Sequence, residues 1–143
     1  MFKQKIFIVS FFVLALIAVL NYVGIKLSLY WVYRWYDIPM HMLGGLCVTL
    51  FSLSLYSHLN RVFPIIVYKI NVFYVLFFTL LVVTISWEVF ELLGQITFVG
   101  DRGYWPDTLD DILNAYIGGT IAYFFFIKNK KSEKILVTEN INK

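Results

Sequence analysis

Two glutamates stand inside a stretch of chain that is otherwise apolar enough to cross a membrane. Glu88 and Glu91 follow a run that begins at Val72, and Gln95 comes one turn after them. On a helix this spacing of i, i+3 and i+7 puts the polar side chains on one face. A charge near the middle of a bilayer costs at least about 2.5 kcal/mol. Each carboxylate must therefore be protonated, paired or bound to a metal ion.

Polar groups also lie on two other apolar stretches. Asp37 and His41 have the i, i+4 spacing that places them on one helical face, and Pro39 suits the first turn of that helix with Asp37 as its cap. A second series has i, i+3, i+4 and i+7 spacing: Asp107, Asp110, Asp111 and Asn114. Carboxylates at a helix start also stabilise the helix by about 0.3–1 kcal/mol. A capping role and a functional role are therefore both open for Asp107.

An imidazole among carboxylates supports either of two kinds of site. Oxygen ligands with one nitrogen ligand suit Mg, Mn, Ca or Zn, and the candidate metal ligands are Glu88, Glu91, Asp110 and Asp111. Without a metal ion, a histidine beside carboxylates is an acid–base arrangement. The expected catalytic residues are His41, Glu88, Glu91 and Asp111. The expected binding residues are Asp37, Gln95, Arg102, Asp107 and Asn114. The cofactor stays open, with a divalent metal ion as the candidate.

Composition indicates an integral membrane protein of a single domain over residues 1–143. Hydrophobic residues make up 60% of the chain and charged residues only 15%, against about 25% charged residues in soluble domains. The lipid bilayer is therefore the expected partner, and no nucleic-acid-binding motif is present in the sequence. The single Cys47 excludes an internal disulfide.

The apolar runs predict an all-α bundle of four transmembrane helices. The spans are predicted at residues 6–24, 39–56, 72–98 and 108–127, since a bilayer needs about 20 apolar residues per helix. A segment rich in Trp and Tyr follows the first span, and such rings favour the headgroup region. Residues 128–143 are basic and polar, which predicts a disordered cytoplasmic tail.

The distribution of basic residues predicts the orientation of these spans. Nine of the 12 Lys and Arg residues lie on the side of the two termini, and Lys26, Arg34 and Arg102 lie on the other side. The positive-inside rule then places both termini in the cytoplasm. The same topology brings the acidic residues of the second, third and fourth spans to the extracytoplasmic half of the membrane.

These motifs resemble two families of small bacterial membrane proteins. The VanZ-like family is similar in the acidic residue and His that open one helix, in the Glu-x-x-x-Gln of Glu91 and Gln95, and in the later Arg, Asp, Asn and Gly. The YjdF-like family is similar in His41 with its following Gly44 and Gly45, in the Trp-Glu-x-x-Glu that starts at Trp87, and in the later Asp residues. The resemblance covers about residues 37–122.

The resemblance implies a multi-pass protein of the bacterial cytoplasmic membrane. VanZ-like proteins are linked to low-level resistance to glycopeptides such as teicoplanin, which implies a role in the cell envelope. We therefore expect an envelope protein whose polar site acts on a lipid or lipid-linked substrate, by hydrolysis or transfer. Two alternatives stay open: a non-catalytic protein that binds an envelope ligand or partner, and a small carrier of ions or protons.

Overall fold

A computed structural model of the chain describes residues 2–67, 71–94 and 104–141, and all of its regular secondary structure is helical. In chain order the elements are α1 (Phe2–Lys26), α2 (Leu29–Val32), a 3-10 turn (Arg34–Tyr36), α3 (Asp37–Val62), α4 (Pro64–Val67), α5 (Val72–Gly94) and α6 (Tyr104–Ile141). The predicted all-α class is therefore confirmed for the described part of the chain.

Three of the described helices, α1, α3 and α5, are long and apolar enough to cross a membrane. They agree with the first three predicted spans, and α1 and α3 extend beyond the predicted limits at both ends. Residues 95–98, the predicted end of the third span, lie outside the described residues. The α6 helix is not among these candidate spans. Its apolar middle is short, because acidic residues precede it and lysines follow Ile127 within the same helix.

The stretch predicted as a disordered tail lies mostly within the α6 helix. The α6 helix continues to Ile141, so residues 128–141 are helical, and residues 142–143 lie outside the described part. The tail contains no Gly or Pro that would stop a helix, and its Lys, Glu and Leu residues are good helix formers. Polar composition alone therefore does not end the helix.

The α3 helix occupies the centre of the bundle and contacts α1, α5 and α6. Its buried residues recur mainly every four positions: His41, Gly45, Thr49, Leu50, Leu53 and Ser57. A buried stripe on α5 has nearly the same period: Leu76, Leu80, Thr84, Glu88 and Glu91. Such stripes place one helical face against neighbouring helices. The ionisable members, His41 on α3 and Glu88 and Glu91 on α5, lie at one end of the bundle, and the apolar core of Leu50, Leu53, Leu76 and Ala122 lies toward the other.

Glycines bring the backbones of α3 and α6 into direct contact. A Cβ atom on Gly45 would overlap the carbonyl of Ala115, and one on Gly118 would overlap the carbonyl of Met42. Small residues permit such close approach between membrane helices. The two helices run in parallel, since Asp111 lies beside His41 and Gly119 lies farther along beside Thr49. This crossing fixes which face of α6 meets α3.

The aromatic segment after α1 folds back onto that helix. Ser28 adopts a left-handed conformation with φ 55° and turns the chain into α2. The Tyr30 hydroxyl then donates to Asn21 Oδ1 at 2.8 Å, and the Tyr36 hydroxyl donates to the Leu20 carbonyl at 2.9 Å. Both rings cover Gly24, where a Cβ atom would come within 2.8 Å of them. These contacts position the start of α3, and with it Asp37.

Candidate functional site

Three helices bring one histidine and four carboxylates together at the end of the bundle where α3 begins. His41 forms one group with Asp37 and Asp111, and a second group with Glu88 and Glu91. Within each group one ligand atom per residue lies within 4.8 Å of the others. We call these five residues the His41 cluster. Its members come from α3, α5 and α6, so the tertiary fold assembles it.

The distances around His41 match the spacing of ligands about one metal ion. The imidazole Nε2 lies 3.4 Å from Asp37 Oδ1 and 3.6 Å from Asp111 Oδ1. Two ligands held about 2.1 Å from one ion at a tetrahedral angle lie about 3.4 Å apart. Direct N–H···O hydrogen bonds are shorter, at about 2.7–3.2 Å. The geometry therefore suits an ion between the three side chains as well as a loose ion pair without one.

Asp37 has a different local role from the one predicted. It is the first residue of α3, and the preceding Tyr36 holds the cap position without a side-chain hydrogen bond to the helix. The predicted capping role of Asp37 is therefore wrong. Its carboxylate faces His41 instead, because the i, i+4 spacing places the two side chains on one face.

The two glutamates of α5 differ in how they are held. Glu91 Oε1 accepts a hydrogen bond of 2.8 Å from the indole Nε1–H of Trp87, which fixes the direction of its carboxylate. Glu88 is only 6% exposed, and its Oε1 has no hydrogen-bond partner among the described residues. The Thr108 hydroxyl oxygen also has no hydrogen-bond partner among the described residues. It lies close enough to Glu88 to stabilise the ionised carboxylate. A buried oxygen without a partner is costly unless a further group satisfies it.

The remaining predicted site residues divide into three sets. Asp110 is exposed and belongs to neither group of the cluster. Asp107 is also exposed, but it interacts electrostatically with Glu88 and Asp111. Asn114 is partly buried on α6, one turn beyond Asp111. Gln95 and Arg102 lie outside the described residues.

Tyr30 is a neighbour of the cluster that the sequence pattern did not reveal. Burial raises the pKa of its phenol well above the usual value, and the nearby carboxylates of Asp37 and Glu91 raise it further. Tyr30 therefore lies within electrostatic range of the cluster as a neutral donor. Its position depends on the turn at Ser28, for which no motif in the sequence gives a signal.

The cluster concentrates negative charge in a largely buried place. His41, Glu88, Glu91 and Asp111 are each less than 9% exposed. When the four carboxylates are ionised, one imidazole cannot neutralise them. Protons or a bound cation must supply the balance, because isolated charges are unstable away from water. Carboxylate oxygens with a single imidazole are ligands suited to Mg, Mn, Ca or Zn.

Comparison with known proteins gives one family. The model of a family described as predicted membrane protein (DUF2238) matches residues 3–132, a range that contains the whole His41 cluster. No curated protein and no solved structure matches the chain. Because the family model covers most of the chain, the protein belongs to the DUF2238 family of predicted membrane proteins.

Proposed function

We propose that α6 is a fourth membrane span and that the His41 cluster lies on the extracytoplasmic side of a bacterial cytoplasmic membrane. The α6 helix runs beside the candidate span α3 from Asp111, next to His41, to Phe126 in the apolar core with Leu53. That length corresponds to about 23 Å of helix. The excess of Lys and Arg on the side of the termini supports a cytoplasmic location for both ends.

We propose that the His41 cluster binds a divalent metal ion and uses it on a lipid or lipid-linked substrate of the cell envelope. The buried His41 imidazole, whose Nε2 lies 3.4 Å from Asp37 Oδ1 and 3.6 Å from Asp111 Oδ1, is the observation that carries this proposal. Asp37, His41 and Asp111 hold the ion, with Glu91 as a further ligand. A bound divalent ion supplies an acidified water and polarises a substrate oxygen.

In this proposal Glu88 accepts the proton of the attacking water. It belongs to the group that contains His41 and Glu91, and its Oε1 atom has no hydrogen-bond partner among the described residues. The cluster lies close to the end of its helices, since Glu88 is about 9 Å before Gly94 along α5. A headgroup at the membrane surface can approach that depth, which favours a lipid or lipid-linked substrate for hydrolysis or transfer.

An ion or proton carrier is less well supported. A carrier needs polar groups along the whole bundle, whereas an apolar core of Leu50, Leu53, Leu76 and Phe126 packs beyond the cluster. The resemblance to VanZ-like and YjdF-like proteins supports an envelope role, and we include glycopeptide tolerance in the proposal on that basis alone.

Asp111 and Asp110 give a matched pair for testing the metal site. The two are neighbours on α6, but Asp111 is 5% exposed and belongs to the cluster, while Asp110 is exposed. We expect about one divalent ion per chain in the wild type and in Asp110→Asn, and loss of the ion in Asp111→Asn. Metal analysis of the three proteins after purification in detergent measures this directly. The same metal content in all three proteins, or none in the wild type, would exclude the site.

Turnover is tested separately with Glu88→Gln, which keeps the size of the side chain and removes its base. We expect this variant to retain the metal ion and to lose release of headgroup or phosphate from lipid-linked substrates in vesicles, by about 100-fold or more. If Glu88→Gln keeps full turnover, the assigned role of Glu88 is wrong.

Trp87 is expected to tune the affinity of the site through Glu91. Trp87→Phe removes the indole donor and leaves the Glu91 carboxylate free to turn, and loss of such an outer-shell partner costs about 10- to 100-fold in metal affinity. Phe90→Leu is the control, because Phe90 packs against the Trp87 ring at 5.6 Å but is not a member of the cluster. Titration calorimetry compares the two. Equal affinities would show that the Trp87 hydrogen bond does not support a ligand.

A further inference from the structure

A groove between α1 and α3 lies at the end of the bundle opposite the His41 cluster. It has a volume of about 590 Å³, and its apolar walls are formed by Phe7, Ile8, Phe51 and Leu55. The Phe7 and Phe51 rings lie 6.3 Å apart, which places the first turns of α1 beside the second half of α3. Ser54, His58 and Arg61 complete the lining and form its polar end.

The groove reaches the membrane boundary at its polar end. Arg61 lies in the last turn of α3, about 30 Å along the helix from His41. The hydrocarbon core of a bilayer is also about 30 Å thick. With the His41 cluster near one surface, Arg61 and His58 are therefore at the headgroup depth of the other surface, while the apolar walls face the acyl chains.

The polar end of the groove carries positive charge that no described carboxylate balances. Arg61 and His58 are both exposed. The carboxylates whose side chains the structure describes belong to Asp37, Glu88, Glu91, Asp107, Asp110 and Asp111, all of which lie on the segments that form the other end of the bundle. A phosphate group pairs well with an arginine, which offers several N–H donors in one plane.

We propose that this groove binds an anionic phospholipid of the cytoplasmic leaflet. The headgroup phosphate lies against Arg61, with His58 and Ser54 as further donors, and an acyl chain follows the wall of Phe51 and Leu55. Basic pockets between membrane helices on the cytoplasmic side are suited to such headgroups. This site is separate from the His41 cluster and does not depend on the chemistry proposed there, whereas its placement in the cytoplasmic leaflet rests on the orientation proposed above.

The test compares phosphatidylglycerol with phosphatidylcholine of the same acyl chains. Protein purified in detergent is titrated with each lipid, and native mass spectrometry counts the lipid bound to each chain. We expect the wild type to prefer phosphatidylglycerol by about five-fold or more, as expected for one arginine near an anionic headgroup. Arg61→Gln should remove that preference. Ser54→Trp should reduce the binding of both lipids, because the indole fills the groove.

Lys128→Gln is the control for general attraction between a basic surface and anionic lipids. Lys128 is exposed near the same end of the bundle, but it does not line the groove. It should keep the wild-type preference. The proposal is overturned if Lys128→Gln loses as much preference as Arg61→Gln, or if both lipids bind equally to the wild type. Displacement of phosphatidylglycerol by inorganic phosphate, or a dimer that Ser54→Trp dissociates, would assign the groove to a different occupant.

Discussion

Replacing His41 with alanine is expected to abolish metal binding, with a larger effect than loss of any single carboxylate. His41 is the residue shared by both groups of the cluster, and its Nε2 faces Asp37 and Asp111 at 3.4 and 3.6 Å. Its removal takes away the nitrogen ligand and leaves the carboxylates to repel one another. We expect affinity to fall by more than the roughly 100-fold that loss of an outer-shell partner costs.

The matched control is His58→Ala, since His58 is the other histidine of the chain and lies exposed on the same helix. Thermal unfolding in detergent, with a divalent metal ion or with a chelator, measures the effect. At a metal concentration 100 times Kd, the ion should stabilise the wild type and His58→Ala by about 2.7 kcal/mol. It should leave the unfolding temperature of His41→Ala unchanged.

A purely structural network gives a different result in the same experiment. In that case His41 serves only as a charge between Asp37 and Asp111, and His41→Ala is destabilised equally with metal and with chelator. If no divalent ion changes the unfolding temperature of the wild type, the result would support the structural network and contradict the metal site. Circular dichroism and gel filtration of His41→Ala show whether the variant is folded before the comparison is made.

Gly45→Ala is expected to destabilise the protein strongly, while Gly44→Ala leaves it unchanged or slightly more stable. A Cβ atom on Gly45 would overlap the backbone of Ala115, whereas one on Gly44 has no atom within 4 Å. Backbone cannot move aside as a flexible side chain can, so α3 and α6 must separate. Overpacking of this kind costs about 1–3 kcal/mol, and Ala is the better helix former by about 1 kcal/mol.

The pair of neighbouring glycines makes the comparison direct, since the same methyl group is added at adjacent positions of one helix. Thermal unfolding in detergent gives the stability difference, which we expect to be about 2 kcal/mol or more in favour of Gly44→Ala. Gly45→Ala should also bind metal more weakly, because separating α3 from α6 moves Asp111 away from His41. Equal stability of the two variants would mean that the close crossing does not form.

The sequence identifies the polar side chains of α5 because their pattern is local. Glu88 and Glu91 continue a stripe that starts with Leu76, Leu80 and Thr84, and that stripe is the buried face of the helix. The spacing is visible in the sequence without any knowledge of the neighbours. The pairing of Trp87 with Glu91 could also have been found from the sequence, since the two residues are one helical turn apart.

For the acidic residues at the start of α6, the local spacing does not predict which carboxylate is buried. Their spacing predicts one polar face that includes Asp107, Asp110 and Asp111, yet Asp111 is buried and the other two are exposed. The rotation of α6 explains the difference between Asp111 and Asp110. Asp111 precedes the contact residue Gly118 by two turns and lies within about 20° of it around the helix, whereas Asp110 lies about 100° from Asp111. Asp107 lies only about 40° from Asp111, and its exposure instead follows from its position in the first turn of α6.

The sequence by itself determined that the protein is a membrane protein, and it located three of the apolar helices. It also identified the polar residues that are candidates for a site. Both results follow because helical period and hydropathy depend on residues that are close together in the chain. The tertiary structure decided that His41 meets Glu88, Glu91 and Asp111, that Tyr30 lies beside them, and that Asp110 does not. Those contacts depend on how far apart and at what rotation separate helices pack. For α3 and α6 the distance and rotation are set by the backbone contacts of Gly45 and Gly118. The glycines are visible in the sequence, but the residues that they contact are not.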